Sequence, residues 1–176
     1  MLQVVALPQW APGDGFRLQT WRVKHQPHGF HIPAFLGLVH HPHELSDEDF
    51  IAHVREVAAR MRPFPLTLSY ALPVMWDGQQ AHVFLMPEQG AGDLWRLHRA
   101  LFSGTLAPWM PDAGFFLPHL LLASYSMPQM ALTVADQWNS REAPLHAQVL
   151  TLAVLRKEAS RLEWLAEAAL GPQGAA

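Results

Sequence analysis

The pattern of apolar and polar positions along the chain predicts several short strands. The run 3–7 is apolar and β-branched and is ended by Pro8, which is typical of a buried strand. Residues 115–125 are too apolar for a surface strand, so we expect them at the centre of a sheet. The pair Asp77-Gly78 offers the positive φ of a tight turn and predicts a hairpin. The predicted strands are 3–7, 64–72, 81–86, 115–125 and 145–155.

Capping residues and apolar stripes predict three helices. Ser46 can accept a hydrogen bond from the backbone amide of Asp49, and the acidic residues after Ser46 suit the positive end of a helix dipole. Gly104 is placed to cap the end of a second helix, which Asp93 opens. The predicted helices are about 46–62, Asp93 to about Gly104, and Ser126 toward Trp138.

Two segments carry conflicting patterns. Residues 10–30 lack clean periodicity, so the stretch 16–23 can be a helix or a strand. The segment 161–170 consists of good helix formers, and its propensity favours a helix although some of its apolar residues alternate. The order of the other elements, with its hairpin signals, predicts an α+β fold rather than a doubly wound parallel sheet.

Composition and charge exclude several classes of protein. The chain has 176 residues, 50% of them apolar, which is enough for the core of one domain. A formal net charge of -3 provides no strong positive field, so we expect any nucleic-acid ligand to be short. The absence of cysteine excludes disulfides and thiolate metal sites. Because no signal peptide or membrane span is evident, we expect a soluble, cytoplasmic protein with no membrane partner.

Two segments of the sequence echo one another. Residues 32–38 (IPAFLGL) and 117–122 (LPHLLL) each place an apolar residue and a proline before a predicted buried strand. Each of these strands precedes a predicted helix. The repetition indicates a weak internal duplication.

With the stretches ELSDEDF, RPFPLTL and LHRALFSG, these segments resemble the two-histidine (2H) phosphoesterase superfamily, in particular the bacterial 2′-5′ RNA ligase-like proteins. The resemblance covers about residues 1–156. It implies a bilobal, pseudo-symmetric α+β fold, with antiparallel sheets around a central groove and helices packed outside. Residues 1–176 would form one domain of two lobes. For the tail, about 157–176, the resemblance implies a strand where propensity favours a helix.

In this family each lobe supplies a His-x-Thr motif on a strand. The two imidazoles flank a phosphodiester: one accepts a proton from the attacking hydroxyl or water, and the other donates a proton to the leaving oxygen. The two hydroxyls hold the phosphate oxygens. Because residues i and i+2 of a strand share a face, each motif presents an acid-base group and an anchor to the groove.

Both motifs are incomplete in this sequence. In the second motif His119 stands at the histidine position and is the main candidate catalytic residue, but Leu121 stands where the hydroxyl belongs. In the first motif, an alignment through Ile32-Pro33 places Phe35 at the histidine and Gly37 at the hydroxyl.

A second register of the first motif stays open. It makes His31 the catalytic histidine but puts Pro33 at the hydroxyl position and lengthens the stretch from the motif to the following helix. We favour Phe35. In either register the phosphate anchors are lost.

The histidines clustered between residues 25 and 43 raise the question of a metal site. They include His28, His31, His40, His41 and His43, with Glu44 close by. No H-E-x-x-H spacing or cysteine partner accompanies them, so we expect no metal and no cofactor. A regular strand through this region would aim His31 and His41 to the same side as Phe35, where they could partly replace the lost imidazole.

The resemblance therefore implies a degenerate 2′-5′ RNA ligase or cyclic phosphodiesterase-like protein. It would bind a nucleotide or the phosphate of a short RNA end with weak or no catalysis, since loss of one acid-base group commonly costs about 10² to 10⁴ in rate. One alternative is an active 2H phosphodiesterase that uses His119 and His31. Another is a noncatalytic protein-interaction module whose groove is filled by Phe35 and Leu121. Whether the protein is an enzyme stays open at this point.

Overall fold

The computed structural model describes residues 1–25, 32–41, 45–76, 80–111, 116–158 and 161–171, and of His41 and Trp76 the backbone alone. These ranges form seven strands, four α-helices and one short 3₁₀ helix. In chain order the elements are β1 (Leu2–Trp10), α1 (Asp14–His25), β2 (Leu36–His41), α2 (Asp47–Arg60), β3 (Phe64–Trp76), β4 (Gln80–Gln89), α3 (Ala91–Leu101), the 3₁₀ helix (Gly104–Trp109), β5 (Leu120–Tyr125), α4 (Pro128–Arg141), β6 (Leu145–Glu158) and β7 (Arg161–Ala169).

All seven of these strands belong to one antiparallel sheet. Its order is β1-β2-β5-β4-β3-β6-β7, and β1 also pairs with β6, so six strands form a ring with β7 at its edge. The length of β6 allows this, because residues 147–156 pair with β1 along one edge while the other edge pairs first with β3 and then with β7. The predicted α+β class is confirmed, with both parts of the sheet joined in one.

The two halves of the sheet repeat one another. In one half β2, β1, β6 and β7 are neighbours, and in the other half β5, β4, β3 and the beginning of β6 are neighbours. The halves meet where β2 pairs with β5 through Leu36 and Leu120. This arrangement confirms the bilobal fold.

The sheet has an outer face covered by helices and an inner face. All four α-helices contribute to the main core on the outer face, through residues such as Leu18, Phe50, Leu94 and Trp138. Strand alternation places Val5 on the inner face, because its neighbours Val4 and Ala6 belong to that core. A smaller cluster on the inner face consists of Val5, Ala153 and Leu155, with Leu7, Phe35 and Leu162 packed against them.

Most of the predicted elements are confirmed. The Ser46 hydroxyl accepts a hydrogen bond from the backbone N of Asp49 at 3.1 Å, and α2 begins at Asp47, directly after Ser46. Strands β3 and β4 form the predicted hairpin, although its Asp77-Gly78 turn lies outside the described residues. The central apolar strand is β5, which is bonded to both β2 and β4.

The structure decides two segments that the sequence left open, and it shows that one predicted feature is wrong. The tail forms β7 rather than a helix, because pairing with β6 satisfies its backbone and buries Ala168. Gly104 begins the 3₁₀ helix with φ of 53° whereas α3 ends at Leu101, so the predicted capping role of Gly104 is wrong. The ambiguous region 10–30 contains α1. None of the described helices is long and apolar enough to cross a membrane.

Candidate functional site

The positions that the resemblance assigns to the two motifs meet at the junction of the two halves. Phe35 and His119 each stand one residue before a motif strand, β2 or β5, and the next residues, Leu36 and Leu120, are paired across the junction. Residues that flank an antiparallel pair oppose one another crosswise. The junction therefore places Gly37 opposite His119 and Phe35 opposite Leu121.

A ring contact and a hydrogen bond hold His119 in place. Its imidazole stacks on Phe84 of β4, with ring centroids 3.7 Å apart and 24° between the planes. Its Nδ1 lies 2.7 Å from the carbonyl oxygen of Leu117. Because a carbonyl only accepts, Nδ1 carries the hydrogen, and Nε2 of the neutral ring keeps its lone pair. Nε2 can therefore accept a proton or, once the ring is charged, donate one.

Phe35, which we expect at the histidine position of the first motif, presents an apolar ring. It is partly exposed and packs against the inner-face cluster of Val5, Ala153 and Leu155. A phenyl ring has no titratable proton. This position can therefore pack or stack but cannot perform acid-base chemistry.

A β-bulge at Leu38 changes which residues of β2 reach the inner face. Successive residues of β1 pair with Val39 and Gly37, so Leu38 has no partner of its own in β1. Leu38 and Val39 both belong to the main core, although regular alternation would send them to opposite faces. The bulge turns His40 to the inner face, whereas alternation would send it to the core.

Strand β5 contains an equivalent bulge at Leu122. Successive residues of β4 pair with Ala123 and Leu121, and Leu122 and Ala123 both belong to the main core. Ser124 is thereby turned to the inner face, where its hydroxyl oxygen lies 2.8 Å from Nδ1 of His82. Ser124 follows His119 by five residues, as His40 follows Phe35.

The imidazole of His40 lies over Gly37. A Cβ atom added to Gly37 would stand 3.3 Å from Nε2 of His40, so the glycine leaves room for the ring. His40 is exposed to solvent, but the surrounding protein atoms partly desolvate its ring and thereby lower its pKa. The charge of Lys157 lowers it further. His119 is likewise close enough for its charge to lower the pKa of His40.

The electrostatics of His119 are similar. Burial lowers the pKa of His119, the hydrogen bond to Leu117 opposes this, and the charge of His82 lowers it further. Three imidazoles and the ammonium group of Lys157 thus lie in one region of the inner face. A positive charge on one of these groups disfavours protonation of a neighbouring imidazole, whereas a bound anion would stabilise the protonated forms.

A cavity of about 580 Å³ opens beside Phe35 rather than over His119. It shares Leu7 with the inner-face cluster and reaches Ala34, the residue before Phe35. Its further lining includes the side chains of Trp10, Trp164 and Glu167. The indole N–H of Trp164 donates to Glu167 at 3.1 Å.

Some residues singled out from the sequence lie outside the described part of the chain. His31, the histidine of the second register, is one of them, and so are His28, His43 and Glu44. Within the described ranges, no group of three or more His, Cys, Asp or Glu side chains could hold a metal ion.

No sequence motif marks His82, Ser124 or Lys157 as a site residue, and His40 stood out only as a member of the histidine cluster between residues 25 and 43. Regular alternation had favoured His41 for the side of Phe35, and the side chain of His41 lies outside the described part. A usable signal was present in the two repeats. When 35–40 is aligned with 119–124, each repeat has two apolar residues followed by a polar one, His40 or Ser124.

Comparisons with known proteins place this site in a wider context. The family model of the 2′-5′ RNA ligase superfamily matches residues 8–161. No curated protein sequence matches the chain.

Several solved structures share its fold. TT0787 of Thermus thermophilus is 21% identical, with a TM-score of 0.61 over 98% of this chain and 99% of that one. E. coli LigT, in a complex with 3′-AMP, is 19% identical, with a TM-score of 0.57 over 97% of each chain. Usb1 of Kluyveromyces marxianus, with uridine monophosphate, is 10% identical, with a TM-score of 0.53 over 93% of this chain and 97% of that one. At these identities the likeness shows a common fold.

Proposed function

The chain belongs to the 2′-5′ RNA ligase superfamily, and from this premise we propose that it binds a nucleotide or the phosphate of an RNA end on its inner face, beside His119. The observation that carries the proposal is the position of the His40 ring over Gly37, which the pairing of β2 with β5 sets opposite His119. The charges of Lys157 and His119 lower the pKa of His40. A phosphate group is the anion that such a set of nitrogen donors suits. The solved relatives named above include complexes with 3′-AMP and uridine monophosphate.

We also propose that Phe35, rather than His31, occupies the histidine position of the first motif. The pairing of Leu36 with Leu120 and the equivalent bulges at Leu38 and Leu122 support this register. The first motif then contains neither an imidazole nor a hydroxyl. Catalysis by the standard set of motif residues is accordingly weak or absent.

The cavity beside Phe35 supports a nucleotide rather than a bare phosphate as the ligand. Its mainly apolar walls, with two indole rings, suit a nucleobase, and it shares Leu7 with the cluster that includes Phe35.

Titration of the isotope-labelled protein with 3′-AMP, followed by NMR, tests the proposal. We expect saturable shifts of the His119 ring signals and weaker binding by His119→Gln, since this change removes the imidazole that faces the phosphate. His146→Gln is a matched control, because His146 is an exposed histidine of β6 that contacts Thr67. Absence of shifts at His119 at saturating ligand, or equal affinity of wild type and His119→Gln, would contradict the proposal.

A further inference from the structure

His40 reaches the inner face through a local irregularity of β2. The bulge at Leu38 puts two consecutive residues, Leu38 and Val39, into the main core, and the next residue is turned to the opposite face. Bulges commonly re-aim a side chain beside a functional site. His40 therefore comes from the same strand as the first motif but from a position that the motif does not use.

The residue at the hydroxyl position makes room for this ring. Gly37 has no side chain, and a Cβ at this position would already stand 3.3 Å from Nε2 of His40. A threonine there would bring two more heavy atoms into that space. The His40 ring can thus occupy its present position because residue 37 has no side chain.

The neighbours of His40 suit a phosphate ligand. On β5, His119 is close enough for its charge to lower the pKa of His40, and on β6 the same holds for Lys157. The charge of His82 on β4 lowers the pKa of His119. Nδ1 of His82 lies 2.8 Å from the hydroxyl oxygen of Ser124. The two imidazoles come from opposite halves of the sheet, with positively charged neighbours around them.

We propose that His40 is the second acid-base group of this protein and that, with His119, it hydrolyses 2′,3′-cyclic phosphates of nucleotides or RNA ends. This rests on the proposed function, because the same bound phosphate is the substrate. In this pair His40 takes the place of the motif imidazole, which is absent at Phe35. Catalysis is slower than with a complete motif because no motif hydroxyl holds the phosphate.

The reaction is balanced with these two groups and one water molecule. Nε2 of neutral His119 accepts a proton from water, whose oxygen forms a bond to phosphorus. The bond from phosphorus to one ribose oxygen breaks, and the charged ring of His40 donates a proton to that oxygen. The product is a phosphate monoester with a free ribose hydroxyl, and proton exchange with solvent restores both rings.

The test measures turnover and binding of a 2′,3′-cyclic nucleotide in the same set of full-length proteins. Hydrolysis is followed by phosphorus NMR in wild type, His40→Gln, His119→Gln and the control His146→Gln, and binding by protein NMR. His40 is exposed, so we expect His40→Gln to fold, which circular dichroism checks. We expect each of the first two variants to lose about 10² to 10⁴ in rate and the control to keep it.

The possible outcomes separate the two proposals. Turnover in wild type that survives in His40→Gln overturns the role of His40, as does binding in wild type without any turnover. Both results leave phosphate binding beside His119 in place. If the cyclic nucleotide does not bind to wild type at all, both proposals fail.

The variant Gly37→Thr gives an independent measurement. It adds the family's hydroxyl but displaces the ring of His40 from its present position. We expect turnover to fall while nucleotide binding persists. Turnover that increases in Gly37→Thr would mean that the hydroxyl, rather than His40, limits the reaction, and would overturn the proposal.

Discussion

Leu36 of β2 is paired with Leu120 of β5 at the point where the two halves of the sheet meet. Counting outward from this pair, both strands have a bulge two residues later, at Leu38 and Leu122. The halves therefore match in backbone geometry even where their side chains differ.

A hydroxyl introduced at residue 121, where we expect the hydroxyl position of the second motif, should strengthen phosphate binding. Leu121 is partly exposed on the inner face and follows His119 by two residues. In Leu121→Thr, the new hydroxyl can donate to a phosphate oxygen, and hydrogen bonds to charged groups contribute about 1.5–3 kcal/mol. We expect 3′-AMP to bind at least about tenfold more tightly by calorimetry.

The matched control for this change is Leu121→Val, because valine has the shape of threonine without its hydroxyl. We expect Leu121→Val to bind 3′-AMP as wild type does. Equal gains in the two variants would show that the smaller side chain, rather than the hydroxyl, is responsible.

Binding of a 2′,3′-cyclic nucleotide should strengthen as the pH falls. Burial and positive neighbours lower the pKa values of His40 and His119 in the free protein, so both rings are neutral at neutral pH. The bound anion favours their charged forms, so binding takes up protons at pH values between the lowered pKa of the free protein and the higher pKa of the complex. Each proton taken up increases the affinity by at most about tenfold per pH unit.

Calorimetry in two buffers of different ionisation enthalpy measures this proton uptake directly. We expect uptake in wild type at about pH 6 and a smaller uptake in His40→Gln, which retains only one of the two rings. An affinity that stays constant or decreases on acidification would contradict this prediction.

Regular alternation and capping residues made much of the fold predictable from the sequence. The site, in contrast, depends on β-bulges, which interrupt that alternation. The Ser46 cap and the apolar strand 120–125 follow from local residue chemistry, and the structure confirms both. The bulge at Leu38 has no such local signature. It results from packing Leu38 and Val39 together into the core, and only the comparison with the second repeat indicates it.

The tail shows the same limit for an ordinary element. Its residues are good helix formers, yet 161–169 forms a strand because the long strand β6 offers it an unpaired edge. Propensity differences among ordinary residues are below about 1 kcal/mol each, so pairing and burial override them. A distant partner in the sequence therefore decided the structure of this segment.

Trp164 should contribute to nucleotide binding but not to phosphate binding. The residue is 40% exposed and lines the cavity beside Phe35. We expect Trp164→Leu to weaken 3′-AMP binding by about 1–3 kcal/mol, the usual contribution of a base stacked on an aromatic ring, and to leave the affinity for inorganic phosphate unchanged.

Both affinities can be measured by calorimetry on the same samples. Trp10 also lines the cavity, so Trp10→Leu is a second variant of the same wall. Equal losses for 3′-AMP and inorganic phosphate in Trp164→Leu would indicate a disturbed fold instead of a lost base contact.

His98 should make the protein less stable in acid. Its ring is 4% exposed and stacks on Phe116 with centroids 4.0 Å apart; its Nδ1 donates to the carbonyl oxygen of Leu38 at 2.7 Å. Its Nε2 is buried without a hydrogen-bond partner, so a second proton there would have no acceptor. Burial accordingly lowers the pKa of His98, with the bond to Leu38 acting against this shift.

The sign of the effect follows from proton binding in the two states. Between the lowered pKa in the folded state and about 6.5 in the unfolded chain, the unfolded state binds more protons. The stabilisation is therefore present above about pH 6.5 and is lost as the pH falls through the folded pKa, by up to about 1.4 kcal/mol per pH unit for this proton.

Urea unfolding of wild type and His98→Gln from about pH 8 down to pH 5 measures this contribution. The measurement at about pH 8 gives the change due to packing and to the bond with Leu38, which a glutamine amide can partly replace. The difference in slope below about pH 6.5 isolates the titration of His98, and we expect the shallower slope in the variant. Equal slopes would mean that the folded protein accommodates a charged ring between Leu38 and Phe116.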